Sequence, residues 1–149
     1  MAKFTAAKNN KQKDLSMPPQ LLSDSIEVGI VTTNMATMRA FYGETLGLKY
    51  ESELSFPGGI MHRYHLGGAI IKLVNYDQAP AADVIAGGGF SAKGYRYISM
   101  GVNGLSAWFT ELKASGVEIP VDVTVFADGI GFGFIADPDG NWIEVFGVL

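Results

Sequence analysis

The chain has 149 residues, 48% of them apolar and 17% charged, with no cysteine and a formal net charge of −4. That length and apolar content suit one domain with a buried core and exclude wholesale disorder. The lack of cysteine excludes disulfide frameworks, thiolate metal sites and cysteine nucleophiles. No stretch approaches the roughly 18 consecutive apolar residues of a membrane-crossing helix, and the first residues lack an apolar signal segment, so a cytoplasmic protein is expected.

Charge is spread unevenly. Residues 1–22 hold Lys3, Lys8, Lys11 and Lys13 against Asp14, and the rest of the chain carries 7 basic and 14 acidic residues. So acidic a body argues against nucleic acid as a partner, because a phosphate backbone calls for a basic face. The lysine-bearing start, set among Asn, Gln and Pro, reads as a solvated leader.

Folding is expected to begin near Ser23. Ile26–Thr32 alternates like a strand, and Asn34 then opens a helical pattern whose face carries Met38, Phe41, Tyr42, Thr45 and Leu46 up to Gly47. Leu48–Leu54, Gly59–Leu66 and Ala69–Asn75 read as strands, the last two joined by Gly67-Gly68 as a hairpin. Beyond a Gly-rich linker the order returns. Tyr97–Val102 is a strand, and Leu105, Trp108, Phe109 and Leu112 stripe a helix that Gly116 closes. Val117–Ile119, Val121–Phe126, Gly131–Ile135 and Trp142–Val148 are extended, the last two joined by the turn Asp137-Pro138-Asp139-Gly140.

Glu27 and Tyr97 are 70 residues apart, as are Met35 and Leu105, and Gly47 and Gly116 are 69 apart. A β-α-β-β-β unit thus occurs twice. The divisions are a leader at 1–22, modules at 23–76 and 95–149, and a linker at 77–94, all in one compact domain. Each unit covers one sheet face with a helix, so two units can set their bare faces around a hollow. Strand alternation sends Glu27, Gly29 and Val31, and likewise Trp142, Glu144 and Phe146, toward it.

EVGIVTTNMATMRAFYGETLGL, YISMGVNGLSAWFTELKASGV and FIADPDGNWIEVFG, in that order, resemble the vicinal oxygen chelate superfamily, which holds glyoxalase I, extradiol dioxygenases and bleomycin-resistance proteins. The resemblance runs from about Ser25 to the C-terminus. It implies an α+β fold of two βαβββ modules, whose cup-shaped mixed sheet surrounds a central cavity. It also implies a homodimer, with modules paired within or across chains. The family's four metal-ligand positions fall on Glu27, Lys72, Tyr97 and Glu144, of which only Glu144 matches the usual residue type.

Lys72 in a ligand position opposes a metal. At about 4 Å and an effective dielectric near 20, a dication and an ammonium repel by roughly 8 kcal/mol, or about six pKa units. No metal or other cofactor is therefore expected, and a metal-dependent glyoxalase- or dioxygenase-like enzyme with atypical ligands is the third choice. The set can be a neutralised ion cluster left from a lost metal site. Alternatively, carboxylates crowded in an apolar cup have raised pKa values and shuttle protons. In that case Glu144 or Glu27 is the base, while Lys72 and Tyr97 polarise a carbonyl, the family's shared chemistry being enolate formation.

The two histidines lie in GIMHRYHLGG. If Gly67-Gly68 is a two-residue loop, Arg63 pairs with Lys72 and His65 with Ile70, placing Arg63 and His65 inward; a one-residue change puts His62 and Tyr64 there instead. Ile70, Met100, Phe132, Phe134, Trp142 and Phe146 are candidate walls for a small apolar or aromatic ligand. Ala86–Phe90 and Phe56–Gly59 are candidate lids. The first expectation is a metal-independent isomerase or lyase acting by proton transfer on a small apolar carbonyl or aromatic compound. The second is a non-catalytic binding protein that sequesters such a molecule.

Overall fold

The computed structural model describes residues 19–149, so the lysine-rich leader falls largely outside the described residues. Strand β1 (Glu27–Val31) leads to helix α1 (Met35–Ala40), which continues as a π-helical turn over Phe41–Thr45. Strands β2 (Lys49–Phe56), β3 (Gly59–Leu66) and β4 (Ala69–Tyr76) complete the first module. The second repeats the order as β5 (Tyr97–Asn103), α2 (Leu105–Ala114), β6 (Glu118–Ala127), β7 (Ile130–Ala136) and β8 (Trp142–Val148). Each module is a four-stranded sheet, β1-β4-β3-β2 or β5-β8-β7-β6, whose first and last strands run parallel. The duplicated α+β architecture is as expected.

Periodicity dictates which face each helix covers. In α2, Leu105, Phe109 and Leu112 share one stripe and are buried. Met38, Phe41 and Tyr42 do the same for the first module. The core they form with Ile71, Leu73, Ile135, Ile143 and Val145 is continuous across both modules. The π-helical turn closes with the Leu46 N–H donating to the Phe41 carbonyl at 2.9 Å. Gly43, within that turn, lets the Tyr64 ring approach: a Cβ there would lie 3.2 Å from the ring.

Three local expectations change. Asn34 makes no side-chain cap; its carbonyl instead accepts from the Met38 N–H. The two extended segments after Gly116 are one strand, β6, with irregular pairing between Glu118 and Val121 where Pro120 supplies no N–H, a device tolerated on an edge strand. Phe56–Gly59 is not a free loop: Pro57-Gly58 is the tight turn between β2 and β3, with Phe56 packed edge-on to Tyr76.

Candidate functional site

Gly67-Gly68 forms a two-residue loop, with Leu66 paired to Ala69, and this fixes the register of the first module. Arg63 pairs with Lys72 and His65 with Ile70. On the face away from α1 these residues meet Glu27 of β1, which neighbours Ile70 in the parallel pair. His62 points the other way. It is buried, 3.2 Å from the Tyr50 hydroxyl, and desolvation helped by the nearby Arg39 holds its imidazole below the usual range.

The open face of the first module is an ion-pair network. The Arg63 guanidinium forks onto Glu27, with Nη2 2.9 Å from Oε1 and Nη1 3.1 Å from Oε2, while its Nε donates to Glu51. Lys72 Nζ lies 3.1 Å from Glu27 Oε2, and His65 Nε2 lies 3.3 Å from Glu51 Oε1. Arg63 first and Lys72 second hold the Glu27 carboxyl down, from its ordinary 4.5 to about 2. Glu51 is held low as well, chiefly by Arg63. A raised, proton-shuttling Glu27 is therefore overturned, because two cations saturate the carboxylate that crowding was expected to perturb.

The second module carries a face of opposite character. Strand alternation puts Tyr97 and Ser99 of β5, Trp142, Glu144 and Phe146 of β8, and Phe132 and Phe134 of β7 on the side away from α2. Phe134 is the hub, with ring centroids of Tyr97, Trp142 and Phe132 at 5.1, 5.3 and 6.4 Å. Glu144 pairs with Ser99 on one side and Phe134 on the other, and the Ser99 hydroxyl donates to its carboxylate. Tyr97 and Phe146 are 49% and 45% exposed, so this aromatic face is open. Met100 is the exception among the expected wall residues. It packs into the core on the α2 side, because alternation from Tyr97 and Ser99 turns it away from the open face.

A cavity of about 740 Å³ runs along the seam of the modules, where Glu27 and Gly29 of β1 face Tyr97 and Ser99 of β5, with Trp142 and Tyr42 also lining it. No hydrogen bond or ion pair among the described residues links Glu144 or Tyr97 to the Glu27 cluster. The linker covers one end of the aromatic face. Gly88 (φ +53°) lies so close to the Trp142 indole that a Cβ there would fall 2.1 Å from its Cε3, and Phe90 meets the same ring at 5.8 Å. Arg96 fastens this cover by donating to the Gly88 and Ile85 carbonyls and to Ser91 Oγ.

Some partners were not foreseen. Glu51 sits at a register shift between Tyr50 and Ser52, which defeats a parity argument. Ser99, by contrast, follows from alternation with Tyr97. The buried bond joining the modules, from the Tyr42 hydroxyl to Asp137 Oδ2 at 2.9 Å, has no local signal in either segment. Burial pushes both groups upward, the phenol strongly. Asp137 is restrained by donors from Asn141, Tyr42 and Asp139.

The donor set at the four family positions does not fit a divalent cation. Both Glu27 oxygens are engaged by a guanidinium and an ammonium, Lys72 brings a positive charge, and no group of three or more His, Asp or Glu gathers among the described residues. No helix among the described residues is long and apolar enough to cross a membrane.

Comparison with known proteins places this geometry. The family model of the glyoxalase/bleomycin resistance protein/dioxygenase superfamily matches residues 25–145. An uncharacterized Bacillus subtilis protein, YwbC, is 24% identical over 124 residues, covering 79% of this chain and 92% of its own. A glyoxalase family protein from Bacillus cereus superposes with a TM-score of 0.74 at 18% identity, over 88% of this chain and 97% of that one. The trypanothione-dependent glyoxalase I of Leishmania major gives 0.65 at 19% identity, over 81% and 84%. At such identities the structural likenesses speak for the fold alone, whereas the family match spans most of the sequence. The chain belongs to the glyoxalase/bleomycin resistance protein/dioxygenase superfamily.

Proposed function

We propose that the chain binds a small, largely aromatic organic molecule on the open face of its second module, without a metal. The observation that carries this is the cluster of Tyr97, Phe132, Phe134 and Trp142 around one carboxylate, Glu144. Aromatic walls with one or two polar groups suit such a ligand, since burying the rings drives binding and the polar group fixes orientation. The first module's face supports this assignment by contrast, because its charges are already matched to one another. The test is ligand-observed NMR with a panel of small aromatic compounds, followed by recovery of the bound compound. Saturation transfer that disappears in Trp142→Leu, with the compound recovered unchanged, supports the reading. No transfer from any compound of the panel defeats it.

A second reading keeps the chemistry of an isomerase or lyase. Glu144 is the one carboxylate of the family positions that bears no cation among the described residues, and the Tyr97 hydroxyl shares its face. In that reading Glu144 removes a proton from carbon beside a carbonyl, and Tyr97 donates to the developing oxyanion. Glu27 and Lys72 leave the mechanism because they neutralise each other. Uptake of solvent deuterium at ligand carbon by metal-stripped protein, lost in Glu144→Gln, would favour catalysis over simple binding.

A further inference from the structure

We propose that the second module's open face is a receptor for an organic cation. The ligand is a protonated amine, a guanidinium or a quaternary ammonium on an apolar or aromatic body, seated with its charge against Glu144. This deepens the binding reading of the same face and rests on it.

The argument begins with the charges. On the first module's open face both carboxylates already have their counter-charges: Glu27 has Arg63 and Lys72, and Glu51 has Arg63 and His65. Glu144 has a neutral donor, the Ser99 hydroxyl, and among the described residues no Lys, Arg or His forms an ion pair with it. The nearby cation along the chain, Arg96, is committed to the linker through Gly88, Ile85 and Ser91. Lys72 is held on the other sheet by Glu27. The missing positive charge is thus left for a ligand to supply.

The surroundings select which kind of cation. Phe134 stands directly across from Glu144, and Trp142 and Phe146 flank it two residues along β8 on the same face. Aromatic π faces attract cations, and most strongly weakly hydrated ones such as alkylammonium and guanidinium. An inorganic dication would find one carboxylate and one hydroxyl, far short of its oxygen shell. An anionic ligand would be repelled. A neutral aromatic ligand would satisfy the rings but strip water from a carboxylate without replacing it, which is costly. An organic cation meets both demands.

The experiment compares three probes of similar bulk on the full chain: benzyltrimethylammonium, benzyl alcohol and phenylacetate. Binding is read by calorimetry and by the indole N–H resonance of Trp142. The expected result is at least about tenfold tighter binding of the cation than of the alcohol, with phenylacetate weakest. Glu144→Gln should erase that preference, weakening the cation several-fold more than benzyl alcohol, and Phe134→Leu should likewise weaken the cation several-fold more than the alcohol. Circular dichroism confirms that each variant is folded, and the wild-type ranking stands as a test by itself. If alcohol and cation bind equally, or the preference survives Glu144→Gln, the cation receptor is overturned while aromatic binding stands. If none of the three binds at millimolar concentration, both fall.

Discussion

Glu27 is where residue type and residue behaviour part company. Glu27 and Glu144 were legible from strand alternation, Lys72 and Tyr97 from the family's ligand positions, and the pairing of Arg63 with Lys72 as one of two outcomes set by the length of the Gly67-Gly68 loop. The protonation behaviour was not, because it depends on which cation reaches which oxygen. Arg63 forks onto both oxygens of Glu27, and Lys72 adds a second positive charge. A carboxyl whose folded pKa is depressed to about 2 from 4.5 contributes stability that is complete above about 4.5 and fades as the pH falls toward 2. Glu27→Gln should therefore be less stable than the wild type at pH 7, with the gap closing between those two values. Urea midpoints measured across that range check this; a gap independent of pH would refute it. Met100 teaches the reverse lesson. Alternation along β5, which sets Tyr97 and Ser99 on the open face, turns Met100 into the core.

At the scale of elements, the parallel pair of β5 and β8 is held closer than a side chain allows. Gly147 has a φ of +152°, and a Cβ built on it would lie 1.8 Å from the Val102 carbonyl oxygen across the pair. Gly101 opposes Phe146 in the same pair, and its bare Cα accepts that ring, since a Cβ would sit 3.2 Å from it. Gly147→Ala should thus cost about 3 kcal/mol or more in chemical unfolding, combining backbone strain with a clash that must be relieved by shifting a strand. A loss under about 1 kcal/mol would mean the strands separate easily there. Element order and most boundaries were readable, because turn glycines and strand alternation are local signals. The merging of two segments into β6 was not. Pro120 lies between those two segments, and on an edge strand its missing N–H leaves no partner unsatisfied.

For the whole molecule, the continuous core argues for one unfolding event despite the repeat. Met38, Tyr42 and Leu73 from the first module and Phe109, Ile143 and Val145 from the second belong to a single buried cluster. Far-ultraviolet circular dichroism, which samples both sheets, and tryptophan fluorescence, whose two reporters Trp108 and Trp142 lie in the second module, should give coincident urea transitions. Separate transitions would mean the modules are independent folding units. The two faces that this core supports have diverged: one is an ion network closed on itself, the other an aromatic surface around a carboxylate. Duplication was visible in the sequence, but this division of labour was not, because it emerges only once register assigns each side chain its neighbours.

The bond from Tyr42 to Asp137 cannot be formed with the halves exchanged. Seventy residues beyond Tyr42 stands Leu112, which has no hydroxyl to offer. Where the second half has its acidic turn at Asp137, the first has only Gly67-Gly68. The hydroxyl and its acceptor are thus divided between the halves, so two copies of one half lack one side of this buried bond. Substitution at either end of this bond is thereby answerable to the other half.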